Sequence, residues 1–432
     1  MSRPIVLSTR RVESTPSTTT NRVAVGFLYI VFVAATVAGI FVARLEGAAP
    51  WTVAVASFTA VIAASLVLSW SGEAGEFLIS QGFIVAMIAL LQVLPEFMIE
   101  AVFAWRRDRD NMLANLTGSN RLLMGLGWPM IYVTAMTAHW LKTRKLLGPI
   151  VLEPKHAIEV WALVISSGYF VVILLRGSFV VLDGVVLFGM FLAYLILLWL
   201  MPPEEEGKED LLAPSRFLIE LPVRLCVGVI LGLMLLSGAT MVLIATPFVD
   251  SMRRVSAQLG IREFYFVQWV APFLTEFPEK VTAFYWAKRV TTAPIALLNM
   301  VSSKVNQWTL LASMIPIVYA ASLAWSGQPI EAVVLTPEHK AELWLSLAMT
   351  MYGAACLLKR RFTGVNCAVL FGLWLVQFLN PDAEHGFIHA FDTRRLTTYI
   401  FAGLAPVEAL VGLRVATPIA DLREIRALLR RR

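Results

Sequence analysis

Twelve long apolar stretches decide what this chain can fold into. They fall at about 23–44, 51–70, 77–104, 111–138, 157–175 and 180–200, and again at about 222–248, 262–287, 294–325, 341–358, 364–380 and 397–414. Most reach the ~18–20 residues of helix that cross a hydrocarbon core of ~30 Å. Inside a bilayer every backbone N–H and C=O must be bonded within the protein, which leaves only helices or a closed barrel. Barrel strands alternate apolar and polar residues, and no such alternation runs through these stretches. With 58% hydrophobic and 15% charged residues, the chain carries more apolar surface than a water-soluble fold of 432 residues hides. The sequence therefore predicts an all-α polytopic membrane protein. The last stretch is the weakest of the twelve, because it holds Pro406 and Glu408.

The charges give an orientation and exclude some functions. The formal net charge of +6 sits mostly in short connections and at the C-terminus, so it speaks for positive-inside bias and not for nucleic acid. Lys142, Arg144, Lys145, Lys288, Arg289 and Lys359–Arg361 fall on one side, with Arg106, Arg107, Arg109, Arg253 and Arg254 in the opposing loops. This predicts a multi-pass protein of the cell membrane with both termini cytoplasmic. Residues 1–22 read as a cytoplasmic tail followed by a retained helix at 23–44, because no short signal-type run with a small-residue cleavage site precedes it. Residues 201–216, rich in proline and acidic side chains, read as a solvated linker. Residues 418–432 read as a basic amphipathic tail on the inner leaflet. The three cysteines, Cys226, Cys356 and Cys367, stand singly in apolar stretches and suggest neither disulfide nor metal site.

Two glutamates interrupt the apolar pattern in matching places. Glu96 follows Pro95 and Glu279 follows Pro278, and each is followed by Asn-x-x-x-Ser: Asn115 with Ser119, and Asn299 with Ser303. The separations agree, since 279 − 96 is 183 while 299 − 115 and 303 − 119 are both 184. The chain thus holds an internal repeat, 51–200 and 217–380, with five spans in each copy. An odd number of spans turns the second copy upside down, giving an inverted-topology repeat of five helices each plus one extra helix at each end. A carboxylate in the bilayer costs several kcal/mol, so a repeated one marks an ion or substrate path.

The repeated residues suit a cation. Ca2+ takes about six to eight hard oxygens, several of them carboxylate. Each copy offers a glutamate, an amide and a hydroxyl, the last two one helical turn apart. Each proline also withholds an N–H from the residue four positions earlier, which frees the carbonyls of Leu91 and Leu274. Glu96 and Glu279 together balance one Ca2+. Glu100, four residues after Glu96, and Glu276, three before Glu279, share faces with them and are candidates for proton coupling. Lys304 and Lys280 bring positive charge to the same region. Lys304 is a candidate tethered cation or a salt-bridge partner of Glu276.

These segments resemble the calcium/cation antiporter superfamily, which includes sodium/calcium and proton/calcium exchangers. Leu94-Pro95-Glu96 with Gly118-Ser119-Asn120 looks like its first alpha repeat, and Thr275-Glu276-Phe277-Pro278-Glu279 with Asn299–Ser303 like its second. The resemblance implies a ten-helix core, alternating access and exchange of Ca2+ or a similar cation for Na+ or H+. It implies Glu96 and Glu279 as acidic ligands of the transported ion, with Ser119, Ser303 and Thr275 as hydroxyl ligands; Asn115 and Asn299 complete the predicted shell. The chain departs from the family pattern where Gln92-Val93 precedes Leu94, where Glu276 follows Thr275, where Lys304 follows Ser303, and at Leu123 and Gln307.

No enzyme is predicted, because no nucleophile stands with a base. His385 and His389 are read as part of a solvated outer loop. The expected partners are inorganic cations and the lipid bilayer, with no tightly bound cofactor. A proton-coupled carrier of a monovalent cation or other solute, and a non-transporting scaffold or sensor on the same fold, are the competing readings.

Overall fold

The computed structural model describes residues 19–78, 94–201, 211–380 and 392–414. Its helices are α1 (Thr19–Ala43), α2 (Pro50–Leu78), α3 (Leu94–Trp105), α4 (Arg109–Leu122), α5 (Trp128–Thr143), α6 (Ala157–Arg176), α7 (Val181–Leu200) and α8 (Ala213–Ile219). They continue as α9 (Val223–Leu259), α10 (Glu263–Thr275), α11 (Phe277–Lys288), α12 (Ala293–Asn306), α13 (Ala312–Trp325), α14 (Pro337–Leu358), α15 (Gly364–Leu379) and α16 (Thr393–Arg414). Four two-residue strands, β1 (Ile150–Val151), β2 (Ser178–Phe179), β3 (Val333–Val334) and β4 (Arg361–Phe362), lie in the connections. The chain is an all-α multi-pass membrane protein.

Two compact units divide it: Met1–Met98 with Pro202–Val255, and Ile99–Met201 with Ser256–Arg432. In the first unit, α1 packs along α2, and α8 packs on both. Gly39 permits the approach, since a Cβ there would lie 2.5 Å from that of Ala60. Glu73 on α2 accepts hydrogen bonds from the Leu212 N–H at 3.0 Å and from the Ser215 hydroxyl. Leu211, Leu212 and Ser215 are buried. The end of the connector expected to be solvated is therefore helical and docked on α2; its residues 202–210 lie outside the described residues. Arg253 and Arg254, expected in a loop, stand in the last turns of α9.

The second unit shows the repeat in its backbone. Two π-helical turns, Leu123–Gly127 and Gln307–Leu311, begin 184 residues apart (307 − 123). Three left-handed helix ends recur at 183: Arg107 with Val290, Arg144 with Gly327, and Gly177 with Arg360. Only one partner in each of the last two pairs is glycine, and Val290 is β-branched, so backbone geometry has been kept where side-chain chemistry resists it. Pairing is reciprocal. β1 pairs with β4 and β2 with β3, while β1 corresponds to β3 (333 − 150 = 183) and β2 to β4 (361 − 178 = 183). Helix packing follows the same exchange: α4 on α14 answers α12 on α6, and α5 on α15 answers α13 on α7. A two-fold relation between copies produces this pattern.

Seven described helices are long and apolar enough to cross a membrane: those at 22–43, 50–75, 157–176, 181–200, 223–259, 293–325 and 337–358. The other expected spans depart for identifiable reasons. The stretch 262–287 is two helices, α10 and α11, parted at Glu276. The stretch 111–138 is continuous helix through its π turn but includes charged residues such as Arg121. α15 has 16 residues, and α16 carries arginines and Glu408. In the stretch 77–104, residues 79–93 lie outside the described residues. So do the tail 418–432 and the loop with His385 and His389.

Among the described glycines of the second unit, Gly118 makes the closest approach to a helix backbone. A Cβ on Gly118 would lie 2.0 Å from the carbonyl oxygen of Gln268 on α10, which is backbone and cannot rotate away. Gly118→Leu is expected to cost at least the ~1–3 kcal/mol of a forced core insertion. It should lower the melting temperature of the purified protein and its folded yield. Gly372→Ala, with open space around it, should leave both unchanged.

Candidate functional site

The break between α10 and α11 is written in the sequence. Pro272 and Pro278 flank it, and each removes an N–H from the helical ladder. Glu276 sits at the junction with φ −94° and ψ 3°, ending one helix and preceding the next. Its own N–H turns back to the carbonyl of Pro272 at 3.1 Å. The two half-helices meet with opposite ends. The N-terminus of α11 favours a carboxylate, and Glu279 stands in its first turn; the C-terminal carbonyls of α10 favour a cation.

Around this break the second unit gathers charge. The Lys280 ammonium lies 2.5 Å from one oxygen of Glu276, and Gln307 donates to the other at 2.9 Å. Glu279 accepts a hydrogen bond from Ser303 and lies in the field of Glu276 and Lys280. Lys304, wholly buried, donates to the backbone carbonyl of Asn120 at 2.5 Å and packs 5.6 Å from the Trp308 ring centroid. Its charge also acts on Glu276. The direct ion pair that Glu276 shows is with Lys280.

The preceding copy contributes oxygens from α3 and α4. Asn115 donates its amide N–H to Glu100 at 2.7 Å. Among the described residues, the Asn115 Oδ1, the Ser119 Oγ and the Asn120 Oδ1 are buried without a hydrogen-bond partner. Three such acceptors within six residues are unusual, because an unmet buried polar group costs about 1–3 kcal/mol. Thr275 bonds back to the Ala271 carbonyl at 3.3 Å and is buried at the end of α10. Asn299 is half-buried on α12. Glu96, in the first turn of α3, is buried and belongs to the first unit.

A second cluster was not anticipated. Arg121 and Glu342, each 1% exposed, form an ion pair at 2.7 Å. Arg394 of α16 reaches the other oxygen of Glu342 at 3.1 Å. Gln268 bridges Thr117 at 3.0 Å and Glu342 at 3.1 Å, and Arg121 stacks over Trp269 at 5.0 Å. These groups tie α4, α10, α14 and α16 together. Glu338 carries the chain of charge outward to Arg262 at 2.7 Å, and His339 meets Asp110 at 2.9 Å. Arg121 and Glu342 were visible as charges inside apolar stretches. Glu342 repeats the buried Glu159, since 342 − 159 is 183, whereas Arg121 corresponds to Val305 and so has no charged counterpart.

The model of the sodium/calcium exchanger protein family matches residues 22–200 and 229–380. The crystal structure of the H+/Ca2+ exchanger CAX superposes with a TM-score of 0.85 at 25% identity, covering 95% of this chain and all of that one. The native structure of YfkE gives 0.55 at 13% identity, covering 88% of this chain and all of that one. The sodium-calcium exchanger NCX_Mj gives 0.47 at 16% identity over 83% of this chain and 98% of its own. A comparison with curated proteins returns no match.

Glu342 answers the buried Arg121 and the half-buried Arg394, so the two ends of this cluster are not equivalent. Glu342→Gln leaves the buried Arg121 uncompensated, while Arg394 keeps Glu338 at 3.5 Å and Asp392 at 3.7 Å, and it should cost the ~3–5 kcal/mol of a broken buried pair. Arg121→Met leaves Glu342 still held by Arg394 and should cost clearly less. Thermal unfolding of the two variants in detergent checks the order; equal losses would contradict the assignment of Glu342 as the shared anion.

Proposed function

Because the chain belongs to the sodium/calcium exchanger protein family, we propose that it exchanges Ca2+, or a cation of similar charge and size, for protons across the membrane by alternating access. Its membership supports a cation antiporter outright; the ion and its counter-ion are the further step. The observation that carries that step is the carboxylate pair Glu276 and Glu279 at a broken helix, with Glu279 bonded to Ser303. Glu96 is its repeat mate. In this reading Glu96 and Glu279 hold the ion. Ser119, Ser303, Thr275, Asn115 and Asn299 supply further oxygens, and Glu100 and Glu276 exchange protons with it. The likeness to the H+/Ca2+ exchanger CAX, over nearly the whole chain, supports the choice of counter-ion. Clustered carboxylates in a low dielectric bind either protons or a divalent ion, which is what exchange on one site requires.

A second reading has its own observation. Lys280 and Lys304 set two ammonium groups beside Glu276 and Glu279, and this charge balance suits a monovalent cation or another solute carried with protons.

Purified protein in liposomes separates the two. Radiolabelled Ca2+ uptake should follow an outward H+ gradient and should be indifferent to a Na+ gradient. Glu96→Gln and Glu279→Gln should each slow uptake at least tenfold, in line with the roughly 1.5–3 kcal/mol of a charged ligand contact. Uptake driven by Na+ alone would replace the counter-ion. Proton flux without Ca2+ uptake would favour the monovalent reading.

A further inference from the structure

We propose that the Lys304 ammonium is a built-in monovalent cation. It fills a position beside the site that the chain would otherwise have to fill with an ion from solution. The inference rests on the site being a cation site, and not on which ion is carried.

The internal repeat makes the argument. Position 304 corresponds to position 120, since 304 − 120 is 184. The ammonium of Lys304 is bonded to the backbone carbonyl of its own repeat mate, Asn120, at 2.5 Å. In a two-fold pair of repeats, residues that touch their own mates lie beside the two-fold axis. Lys304 is therefore central to the second unit, and it is wholly buried there.

The groups seen beside the ammonium are ones that would also attract a small monovalent cation. It has a carbonyl oxygen on one side, the Glu276 carboxylate within electrostatic reach, and the face of Trp308 at 5.6 Å. An aromatic face attracts a cation by its quadrupole. An ammonium is a compact point charge with three donors, and it takes up oxygens much as a bare ion does. The first copy, with neutral Asn at the matching position, shows the complementary state. There the Asn120 Oδ1 and the Ser119 Oγ are buried acceptors without a partner among the described residues.

A charge tethered in this way is present at every step of a transport cycle and costs no binding entropy. It also fixes the local charge, so a dissolved monovalent ion at the same place would meet repulsion. The protein should consequently be indifferent to Na+. Replacing Lys304 by the residue of its repeat mate should open the position.

The test is thermal unfolding of full-length purified protein, with Na+ titrated against N-methyl-glucamine at constant ionic strength. The melting temperature of the native chain should not move. That of Lys304→Asn should rise saturably, by roughly 3 °C or more at saturating Na+, as binding to the folded state alone requires. Lys304→Arg, which keeps the charge, should behave like the native chain. If Lys304→Asn does not fold without Na+, recovery of folded protein on purification in Na+ supports the proposal equally. A Na+-dependent shift in the native chain would overturn it. So would Lys304→Asn that stays indifferent to Na+, or that fails to fold in both media. Because the readout is binding and not flux, absence of Ca2+ transport would count against the proposed exchange while leaving this result to stand on its own.

Discussion

The rest of this structure depends on the cost of an unmet charge or polar group away from water. In a bilayer a helix cannot be interrupted unless the freed groups find partners. The chain interrupts one at Glu276, between two prolines, and surrounds the break with Lys280, Gln307, Ser303 and Lys304. Half-helix ends provide oppositely signed partial charges at the same place, so the break is both a weak point of the backbone and a source of field. The same cost explains Gly118. Only a residue without a side chain lets α4 come close enough to the α10 backbone for Thr117 to meet Gln268.

A second consequence is the division of labour on α4. Asn115, Ser119 and Asn120 offer oxygens, while Arg121 is turned into an ion pair with Glu342 and a stack on Trp269. That pair is completed by Arg394 on α16, which lies beyond the residues matched by the family model. A helix added outside the repeated core thus contributes a charge to its interior. Burial of a pair of this kind gives little net stability, but breaking it is expensive. It therefore holds α4 in one rotation about its axis and with it the row of oxygens.

Much of this was legible in the residues. The spans followed from apolar length, and the repeat from two Pro-Glu pairs at a fixed separation. The structure extends the same separation to π turns, left-handed helix ends and strand pairing, features of backbone geometry that no residue pattern announces. Proline pointed to a freed carbonyl in the stretch 262–287, read as one span, but not to a break at Glu276 or to its partners, because which ammonium reaches a carboxylate depends on helix rotation. The direct pair of Lys280 with Glu276 is of this kind. Glu342 was overlooked although it repeats Glu159 at the same separation, and its pairing with Arg121 and Arg394 joins helices distant in sequence and so leaves no local signature. The docked end of the 201–216 connector was missed for a related reason: the reading followed its prolines and charges, and the backbone bond to Glu73 could not be foreseen.

The central claim is that one set of carboxylates holds either protons or a divalent cation. Adding Ca2+ to the purified protein in weakly buffered detergent solution, with a pH indicator present, tests it without any assumption about transport. The account predicts a saturable release of protons that shrinks in Glu279→Gln. Ca2+ binding with no proton release, or release that Glu279→Gln leaves unchanged, would contradict it.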